Sequence, residues 1–487
     1  MVSVSSHLRF VGKLAVPSAT SFEQPTARKL GVATVALALL IAWLPLQTPL
    51  ALIVFQYGHS ETIARAMLLA KDAFTILLIA YFFVRYWPRL RFYWFDWAAI
   101  GYVALIGVYS IVPWLLGSHI SFLSVAASAR ELAVPVELYA LGRLALAGGA
   151  DVRWLVRWFL AVAAVTAAFT LFEYLFLPVS FWSSTMDLVT FVRVVQGVSN
   201  AHSIWDLSIL TRLGTDNIYG FARAIGPFTH PVGTGHYFVL PLVLSVASFY
   251  QSLNQNRRRE AVVLAALAVL FTGAVLAPIS RGSWLAVGLA VVLCSLIYRR
   301  RAIIVIGIVI TAAVLLTVPS FRYSIVSVFN GTDSSSKDHA SALDKGITTV
   351  LQNPLGLGVG ESDQFGQVLS TGDSAGAGVG ENMYITLLVS VGPLGFLAFV
   401  AWMAGLLKRL IAVRHRAPPP SWIVVGAGAA LVGYVVSAML ASPLMRFTTS
   451  ASVWLVIGLV TGLMLAAPDR SGDRDNLAGV PPVLSSH

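Results

Sequence analysis

The sequence predicts an all-α, polytopic integral membrane protein with about twelve transmembrane helices and two long extracytoplasmic loops. Of the 487 residues, 57% are hydrophobic and only 11% are charged, whereas soluble domains carry about 25% charged residues. The mean hydropathy is +0.78. Apolar segments recur along the chain at the length of roughly 20 residues that spans a hydrocarbon core. We therefore predict a single integral domain.

The transmembrane helices are predicted where apolar segments approach this spanning length. The first begins near residue 30 and no small-residue cleavage site follows it, so we predict an uncleaved helix rather than a signal peptide. The stretch 48–71 has a short apolar half and an amphipathic half, and we interpret it as an interfacial or re-entrant excursion. The approximate spans are 30–47, 72–87, 93–117, 124–145, 155–176, 233–252, 261–280, 283–298, 302–318, 384–407, 421–441 and 449–467.

The basic residues predict the orientation. The net charge is +11, but most of the arginines form short tracts between apolar segments, which is typical of topology signals rather than of nucleic-acid binding. The tracts fall on one side of the predicted bundle, and the positive-inside rule makes that side, with both termini, cytoplasmic. They are Arg28 and Lys29; Arg85, Arg89 and Arg91; Arg153 and Arg157; Arg257, Arg258 and Arg259; Arg299, Arg300 and Arg301; and Lys408, Arg409, Arg414 and Arg416.

This topology predicts the organisation of the chain. Residues 1–29 form a cytoplasmic tail, residues 30–467 form the transmembrane domain, and the polar segment 468–487 is a disordered cytoplasmic tail. The loops 177–232 and 319–383 lie outside, while every cytoplasmic link is short, so we expect chemistry at the outer face. Cys294 is the single cysteine and lies in an apolar segment, so no disulfide within the chain is expected.

A few cations remain near the predicted outer face. Arg281 lies in a tight turn between two apolar segments, Arg446 lies in the turn before the last helix, and Arg130 lies near the outer end of the fourth helix. The planar guanidinium fork suits phosphate oxygens, so these residues are candidates to bind a lipid pyrophosphate at one membrane-level site. The alternative is that interfacial arginines extend to lipid headgroups.

The fourth predicted helix also carries Glu131, Glu137 and Arg143. Ionisable groups inside a membrane are costly, which favours a functional role. The alternative is a structural network of ion pairs that holds this helix against its neighbours. Either interpretation places the helix in the interior of the bundle.

The segment FARAIGPFTHPVGTGHY, residues 221–237, enters the sixth predicted helix. Its glycines and prolines predict turns, and Arg223, His230 and His236 lie among them. Two histidines six residues apart are a poor zinc signal without further ligands, so we predict no metal. Each histidine is a candidate substrate-binding residue, and the alternative is a hydrogen-bonded structural residue.

Two further motifs close the second long loop, QNPLGLGVG at 352–360 and GVGENMYITLLVSVGPLGFLAFV at 378–400. Glu381 precedes a helix, where the dipole favours a carboxylate, and it is a candidate general base toward a sugar hydroxyl. The alternative is an ordinary carboxylate at a helix start. The nucleotide-binding glycine motifs do not occur in the sequence.

Together these motifs resemble the O-antigen ligase and O-antigen polymerase superfamily of bacterial polysaccharide assembly. The resemblance is carried by ARAIGPFTHP, by SRG between two helices, by NPLGLGVG and by ENMYITLLVSVGPLG, and it covers mainly residues 220–405. Glu381 occupies the position where the ligases usually carry a histidine. This departure favours the polymerase branch, with a ligase as the alternative.

The resemblance implies a metal-independent, inverting glycosyltransferase of the membrane C-type fold, without a cofactor, in the bacterial inner membrane. Its donor would be an oligosaccharide linked to undecaprenyl pyrophosphate, and its acceptor a glycan hydroxyl at the outer face. A chain-length regulator and a flippase are possible partners. By position, Arg223 and Arg281 resemble the pyrophosphate-binding arginines and Glu381 is the catalytic base, while the candidate substrate-binding residues are Arg130, Arg446, His230, His236 and Tyr384.

Two other classes of protein fit the same hydropathy. A lipid-linked oligosaccharide flippase or a secondary transporter would line a cavity at the membrane midplane with its charged residues. The cations outside the cytoplasmic tracts are instead expected at one face. A noncatalytic scaffold of an export complex would leave those arginines without a ligand.

Overall fold

The computed structural model describes residues 30–178, 181–195, 223–300, 334–361, 382–413, 421–445 and 447–466, together with positions 307, 317, 326 and 330. In these ranges the regular elements are helices, and no strand occurs. The helices are α1 (Val32–Gly58), α2 (Glu61–Tyr86), α3 (Trp94–Tyr109), α4 (Val112–Leu115), α5 (Phe122–Ala147), α6 (Val152–Phe176), α7 (Leu188–Val194), α8 (Pro231–Tyr237), α9 (Val239–Asn254), α10 (Arg258–Leu276), α11 (Arg281–Ile297), α12 (Ser334–Gln352), α13 (Met383–Val413), α14 (Ser421–Ser437) and α15 (Phe447–Ala466).

The described helices confirm an all-α polytopic membrane protein. Seven helical segments are long and apolar enough to cross a membrane: Val32–Gly58, Glu61–Arg89, Trp94–Leu115, Val152–Phe176, Pro231–Asn254, Arg258–Leu276 and Met383–Ala412. Three shorter apolar helices accompany them, Arg281–Ile297, Ser421–Ser437 and Thr449–Leu465. The predicted number of twelve helices stays a prediction. The predicted tails 1–29 and 468–487, most of the two long loops, and most of the predicted helix 302–318 lie outside the described residues.

The structure differs from the sequence prediction over residues 48–71. This stretch forms no separate excursion, because α1 continues through Pro45 and Pro49 to Gly58 and α2 already begins at Glu61. Burial of α1 residues such as Leu52 compensates for the backbone hydrogen bonds that the prolines cannot make. The Ser60 side chain caps α2 by accepting a hydrogen bond from the backbone of Ile63 at 3.3 Å.

The motif at 352–360 packs against the middle of α13. The backbone N–H of Leu357 donates to the carbonyl of Val389 at 2.8 Å, and the Tyr109 hydroxyl donates to the carbonyl of Leu355 at 2.8 Å. Three residues after Val389, α13 bends at Gly392. This glycine has a φ of 63° and is followed by Pro393. A side chain at Gly392 would collide with the Tyr109 hydroxyl. Gly356 of the motif packs against this bend, since an added Cβ there would lie 3.0 Å from the backbone nitrogen of Gly392.

Arg143 on α5 belongs to a buried network with α3. Its guanidinium pairs with Asp96, and the Tyr139 hydroxyl donates to the same carboxylate at 2.7 Å. Arg143 also donates to the carbonyl of Arg91 at 2.6 Å, and the other Asp96 oxygen accepts from the backbone N–H of Tyr93 at 2.8 Å. For Arg143, the structural interpretation of the ionisable groups on this helix therefore agrees with the contacts.

We expect Asp96→Ala to lower the free energy of unfolding by about 3–5 kcal/mol, because Arg143 would then be a buried charge without its partner. Thermal unfolding of the purified protein in detergent measures this effect. Replacing both residues, as Asp96→Leu with Arg143→Met, should restore all but about 1 kcal/mol, the contribution of the lost helix cap. A double variant no more stable than Asp96→Ala would contradict the assigned ion pair.

Candidate active site

The segment that carries Arg223 is hydrogen-bonded to the turn that carries Arg281. The Arg223 Nε donates to the carbonyl of Pro278 at 2.8 Å, and the backbone N–H of Ala224 donates to the carbonyl of Ala277 at 3.1 Å. Arg281 follows three residues after Pro278 and is the first residue of α11. The two arginines that the sequence singled out therefore lie on two adjacent, directly bonded segments at the same end of the bundle.

The start of α11 favours an anion. Ser280 precedes the helix but its side chain makes no capping hydrogen bond there. The first N–H groups of a helix have no partner within the helix, and the helix dipole gives this end a partial positive charge. A phosphate oxygen at this position is therefore favoured both by the helix and by the Arg281 guanidinium.

A buried glutamate, Glu173 near the end of α6, holds the Arg223 segment. One carboxylate oxygen accepts from the backbone N–H of Ile225 and from the indole N–H of Trp182, both at 2.9 Å. The other oxygen accepts from the backbone N–H of Gly226 at 2.8 Å. Only 6% of Glu173 is exposed. These three donors fix the backbone immediately after Arg223, so Glu173 positions that arginine.

Glu173 is not among the residues predicted for the site, although the sequence carries one signal of its importance. A lone carboxylate within the apolar run FEYLF of a predicted transmembrane helix is costly unless it has partners. Its partners are backbone groups more than fifty positions away in sequence for the 225–226 segment. Sequence spacing does not reveal such a pairing.

The two predicted histidines lie at the two ends of α8: His230 directly precedes the helix, and His236 is its second-last residue. The His230 Nδ1 accepts from the backbone N–H of Gly233 at 3.2 Å, and His230 caps the helix. His236 is fully buried, and its Nδ1 lies 2.8 Å from the carbonyl oxygen of Val232. The His236 ring packs on Gly282, where an added Cβ would lie 3.3 Å from the ring atom Cε1. Both histidines thus make structural contacts, and His236 packs against Gly282, the residue that follows Arg281.

The close approach of α8 and α11 depends on Gly235. A Cβ there would lie 2.6 Å from Ser283 Oγ. We expect Gly235→Ala to push the start of α11 away from α8, to cost about 1–3 kcal/mol of stability through overpacking, and to lower activity. Thermal unfolding and the rate of the reaction proposed below measure both effects.

The matched control is Gly288→Ala on α11, the partner helix in this contact, because an added Cβ at Gly288 meets nothing within 4 Å. This control should keep the stability and the activity of the wild type. Removing the obstructing hydroxyl by Ser283→Ala in the Gly235→Ala background should restore part of both. Equal losses for the two glycine variants would refute the importance of this contact.

The turn between α14 and α15 joins the remaining parts of the site. The backbone N–H of Met383, the first residue of α13, donates to the carbonyl of Ala438 at 3.1 Å. In the same turn Leu440 approaches Gly282, where an added Cβ would lie 3.9 Å from the Leu440 Cβ. The start of α13 is therefore placed beside the turn that approaches the start of α11.

Glu381 itself lies outside the described residues, but its neighbours are placed. The Asn382 side chain caps α13 and accepts from the backbone N–H groups of Tyr384 and Ile385 at 3.0 and 3.3 Å. The Tyr384 hydroxyl donates to the carbonyl of Val435 at 2.5 Å. Tyr384, a predicted substrate-binding residue, thus links α13 to α14 in this structure.

Arg130 lies beside Phe447, the first residue of α15. The Arg130 guanidinium and the Lys71 ammonium lie 5.5 and 5.1 Å from the centre of the Phe447 ring. Asp72 pairs with Arg130 at 2.7 Å and with Lys71 at 3.3 Å. Arg446, also predicted to bind substrate, lies outside the described residues but directly precedes Phe447 in the chain. The contacts therefore bring Arg130 to the chain neighbour of Arg446.

These contacts assemble one junction from segments distant in sequence, which we call the outer junction because the basic tracts predict that this end of the bundle lies at the outer face. It comprises residues 223–237, the turn 277–283, residues 382–384, residues 438–445 and Phe447. The helices α11, α13 and α15 all begin there, so three positive helix ends face this region. Among the residues that the structure describes, no group of three or more metal-ligating side chains occurs. The chemistry that the junction favours is the binding of an anion.

A comparison with protein families places part of the junction in a known domain. The family model described as O-antigen ligase (Wzy_C) matches residues 261–400. This range contains Arg281, the motif at 352–360, Glu381 and the start of α13, while Arg223, Arg130 and Arg446 lie outside it. The comparison with curated proteins finds no match. The resemblance to the O-antigen ligase and polymerase superfamily that the sequence motifs indicated is thereby confirmed.

Proposed function

We propose that this membrane protein, whose residues 261–400 match the O-antigen ligase family model, is a metal-independent, inverting glycosyltransferase. It transfers a glycan from undecaprenyl pyrophosphate to a sugar hydroxyl at the outer face of the bacterial inner membrane. The observation that supports this function most is the bonding of the Arg223 segment to the turn of Arg281, at the end where α11, α13 and α15 begin. A region with two guanidinium groups and three positive helix ends suits a doubly phosphorylated leaving group.

The proposed reaction is a single displacement. The oxygen of the acceptor hydroxyl attacks the anomeric carbon and forms the new glycosidic bond. The bond between that carbon and the pyrophosphate oxygen breaks, its electron pair stays on the pyrophosphate, and the configuration at carbon inverts. Glu381 accepts the proton of the hydroxyl. The donor already carries an activated phosphate bond, so no nucleotide is needed.

The described residues have separate roles in this scheme. Arg281 and Arg223 stabilise the charge that develops on the departing pyrophosphate, which is usually the largest electrostatic contribution to such a reaction. Glu173 and Pro278 hold Arg223 in place through the hydrogen bonds to its segment and to its Nε. Arg130 and Arg446 bind the remainder of the lipid-linked donor near Phe447.

We propose a polymerase rather than a ligase, because Glu381 replaces the histidine usual in ligases. A polysaccharide gel from a deletion strain distinguishes the two. Loss of long chains alone is the pattern expected for a polymerase, whereas accumulation of unattached polymer would identify a ligase. Complementation with the wild-type gene should restore the original pattern in either case.

We expect Glu381→Gln to abolish glycosyl transfer, because an amide does not accept the proton of the acceptor hydroxyl. Glu381→His should recover part of the activity, since imidazole is also a base near neutral pH. The measurement is the transfer rate at equal amounts of protein in the membrane. A fully active Glu381→Gln variant would exclude Glu381 as the base.

The proposed function is tested with the purified protein and a lipid-linked oligosaccharide in detergent. We expect release of undecaprenyl pyrophosphate that requires the acceptor and does not require nucleotide or divalent metal. A flippase or transporter would move the lipid-linked glycan across a vesicle bilayer without cleaving it. Movement without release would therefore overturn the transferase and support that class instead.

A further inference from the structure

A second polar site lies at the opposite end of the bundle from the outer junction. It is a cavity of about 120 Å³ between the start of α6, the end of α9, the start of α10 and the start of α14. The helix α10 has 19 residues and rises about 1.5 Å per residue, so the cavity lies about 28 Å from the outer junction. The two sites therefore cannot share one headgroup.

The lining of this cavity is strongly basic. Arg153 and Arg157 come from α6, and Arg257 directly precedes α10. Glu260 is the acidic member of the lining, and it pairs with Arg257 at 3.5 Å. Three arginines against one glutamate give the lining a formal charge of +2. All three arginines are exposed, so an anion can reach them from solvent or from the membrane surface.

The helix directions add to this charge. The helices α6, α10 and α14 all begin at the cavity, so three positive helix ends face it, and α9 is the helix that ends there. Gln251 also lines the cavity, and its amide oxygen accepts from the Ser421 hydroxyl and from the backbone N–H of Trp422, both at 3.1 Å. The NH₂ group of the Gln251 side chain takes part in neither of these two hydrogen bonds.

The size and depth of the cavity indicate which anion it fits. A buried space of roughly 10–15 Å³ holds one water, so this cavity admits a phosphate group together with several waters. Trp422 lines the cavity at the first turn of an apolar helix, a position typical of the membrane interface. Basic pockets between helices at this depth suit phosphate-bearing headgroups.

We propose that this cavity, lined by Arg153, Arg157 and Arg257, binds a phosphate group at the cytoplasmic surface of the membrane. The phosphate belongs either to an anionic lipid headgroup or to a free phosphate. Bound there, it connects α6, α9, α10 and α14 at one end, and the same helices reach the outer junction at the other. The site is independent of the proposed transfer reaction.

The test is a thermal unfolding titration of the purified full-length protein in detergent. One arm adds phosphatidylglycerol, with phosphatidylcholine as its neutral counterpart, and the other adds sodium phosphate, with sodium chloride at equal ionic strength. We expect the unfolding temperature to rise in the phosphatidylglycerol arm. A rise in that arm alone assigns a lipid headgroup, and a rise in both arms assigns any accessible phosphate.

Variants then locate the response. Arg157→Gln and Arg257→Gln should each raise the concentration for half the response by about 10-fold, since each removes one charged hydrogen-bond donor. Glu260→Gln should lower that concentration, because it removes the one negative charge of the lining. Arg259→Gln is the matched control, since Arg259 lies in the first turn of α10 without lining the cavity.

Unchanged responses for Arg259→Gln, with weakened responses for the two lining variants, support the site. Absence of a response in both arms overturns it. An equal loss in Arg259→Gln also overturns it, because the effect would then reflect general surface charge. Stronger binding by Glu260→Gln serves as the gain-of-function check if a lining variant folds poorly.

Discussion

Arg281→Ala is expected to lower the rate of glycosyl transfer by about 10²- to 10³-fold, the usual loss when one preorganised donor to a developing oxyanion is removed. The protein should remain in the membrane at its normal amount. A cation at the first position of a helix is disfavoured by the helix dipole, by about 0.3–1 kcal/mol, so the substitution should not reduce stability. Activity and thermal unfolding are measured on the same preparation.

Arg281→Lys separates charge from geometry. Lysine keeps the positive charge but loses the planar fork that binds two oxygens, so an intermediate rate is expected. A matched control is Arg299→Ala at the other end of α11, which should retain full activity. If Arg281→Ala were as active as the wild type, or if it lost activity only through unfolding, Arg281 would have no role in the reaction.

Glu173→Gln is expected to lower the transfer rate by about 10²-fold, because a displacement of about 1 Å at a catalytic group has this effect. The carboxylate now accepts hydrogen bonds from N–H groups of Ile225, Gly226 and Trp182. In the variant, the amide NH₂ group would face one of these donors. The segment after Arg223 must then move. A stability loss of about 1–3 kcal/mol accompanies the change, and the transfer rate is measured well below the unfolding temperature.

Trp182→Phe is the graded control for Glu173. It removes the indole donor but leaves both backbone hydrogen bonds to the segment after Arg223. We expect a similar loss of stability with a much smaller loss of activity. If the two variants lost activity in proportion to stability, Glu173 would be a structural residue and not a positioning one.

Much of the architecture follows from the sequence alone. The apolar segments predict α5, α6, the pair α8 and α9, α10 and α11 closely, as the prediction of 155–176 against α6 at Val152–Phe176 illustrates. The helix α7 lies in the stretch 177–232, which was predicted as a loop. The length of an apolar segment is a local property, so it can be read directly from the sequence. The excursion predicted at 48–71 was wrong, because the burial of α1 in the tertiary structure lets the helix continue through two prolines.

The candidate site was only partly predictable. The motifs that drew attention to Arg223 and Arg281 lie on segments that the structure bonds together. The partners that hold them, Glu173 and the turn of Ala438, are set by packing between distant segments and leave no local pattern. The same holds for Arg143, whose contact with Asp96 connects two helices. The cost of placing an ionisable side chain in the hydrocarbon region indicates that the residue has a partner, but it does not identify that partner.

The central claim is that the guanidinium groups of the outer junction bind a doubly phosphorylated lipid headgroup. The most direct measurement is the affinity of the purified protein for undecaprenyl pyrophosphate and for undecaprenyl monophosphate, compared with that of the double variant Arg223→Ala with Arg281→Ala. We predict that the wild type prefers the pyrophosphate and that the double variant binds it at least about 10²-fold more weakly, as expected for two lost charged hydrogen bonds. Equal affinity of the wild type and the folded double variant for the pyrophosphate would contradict the claim.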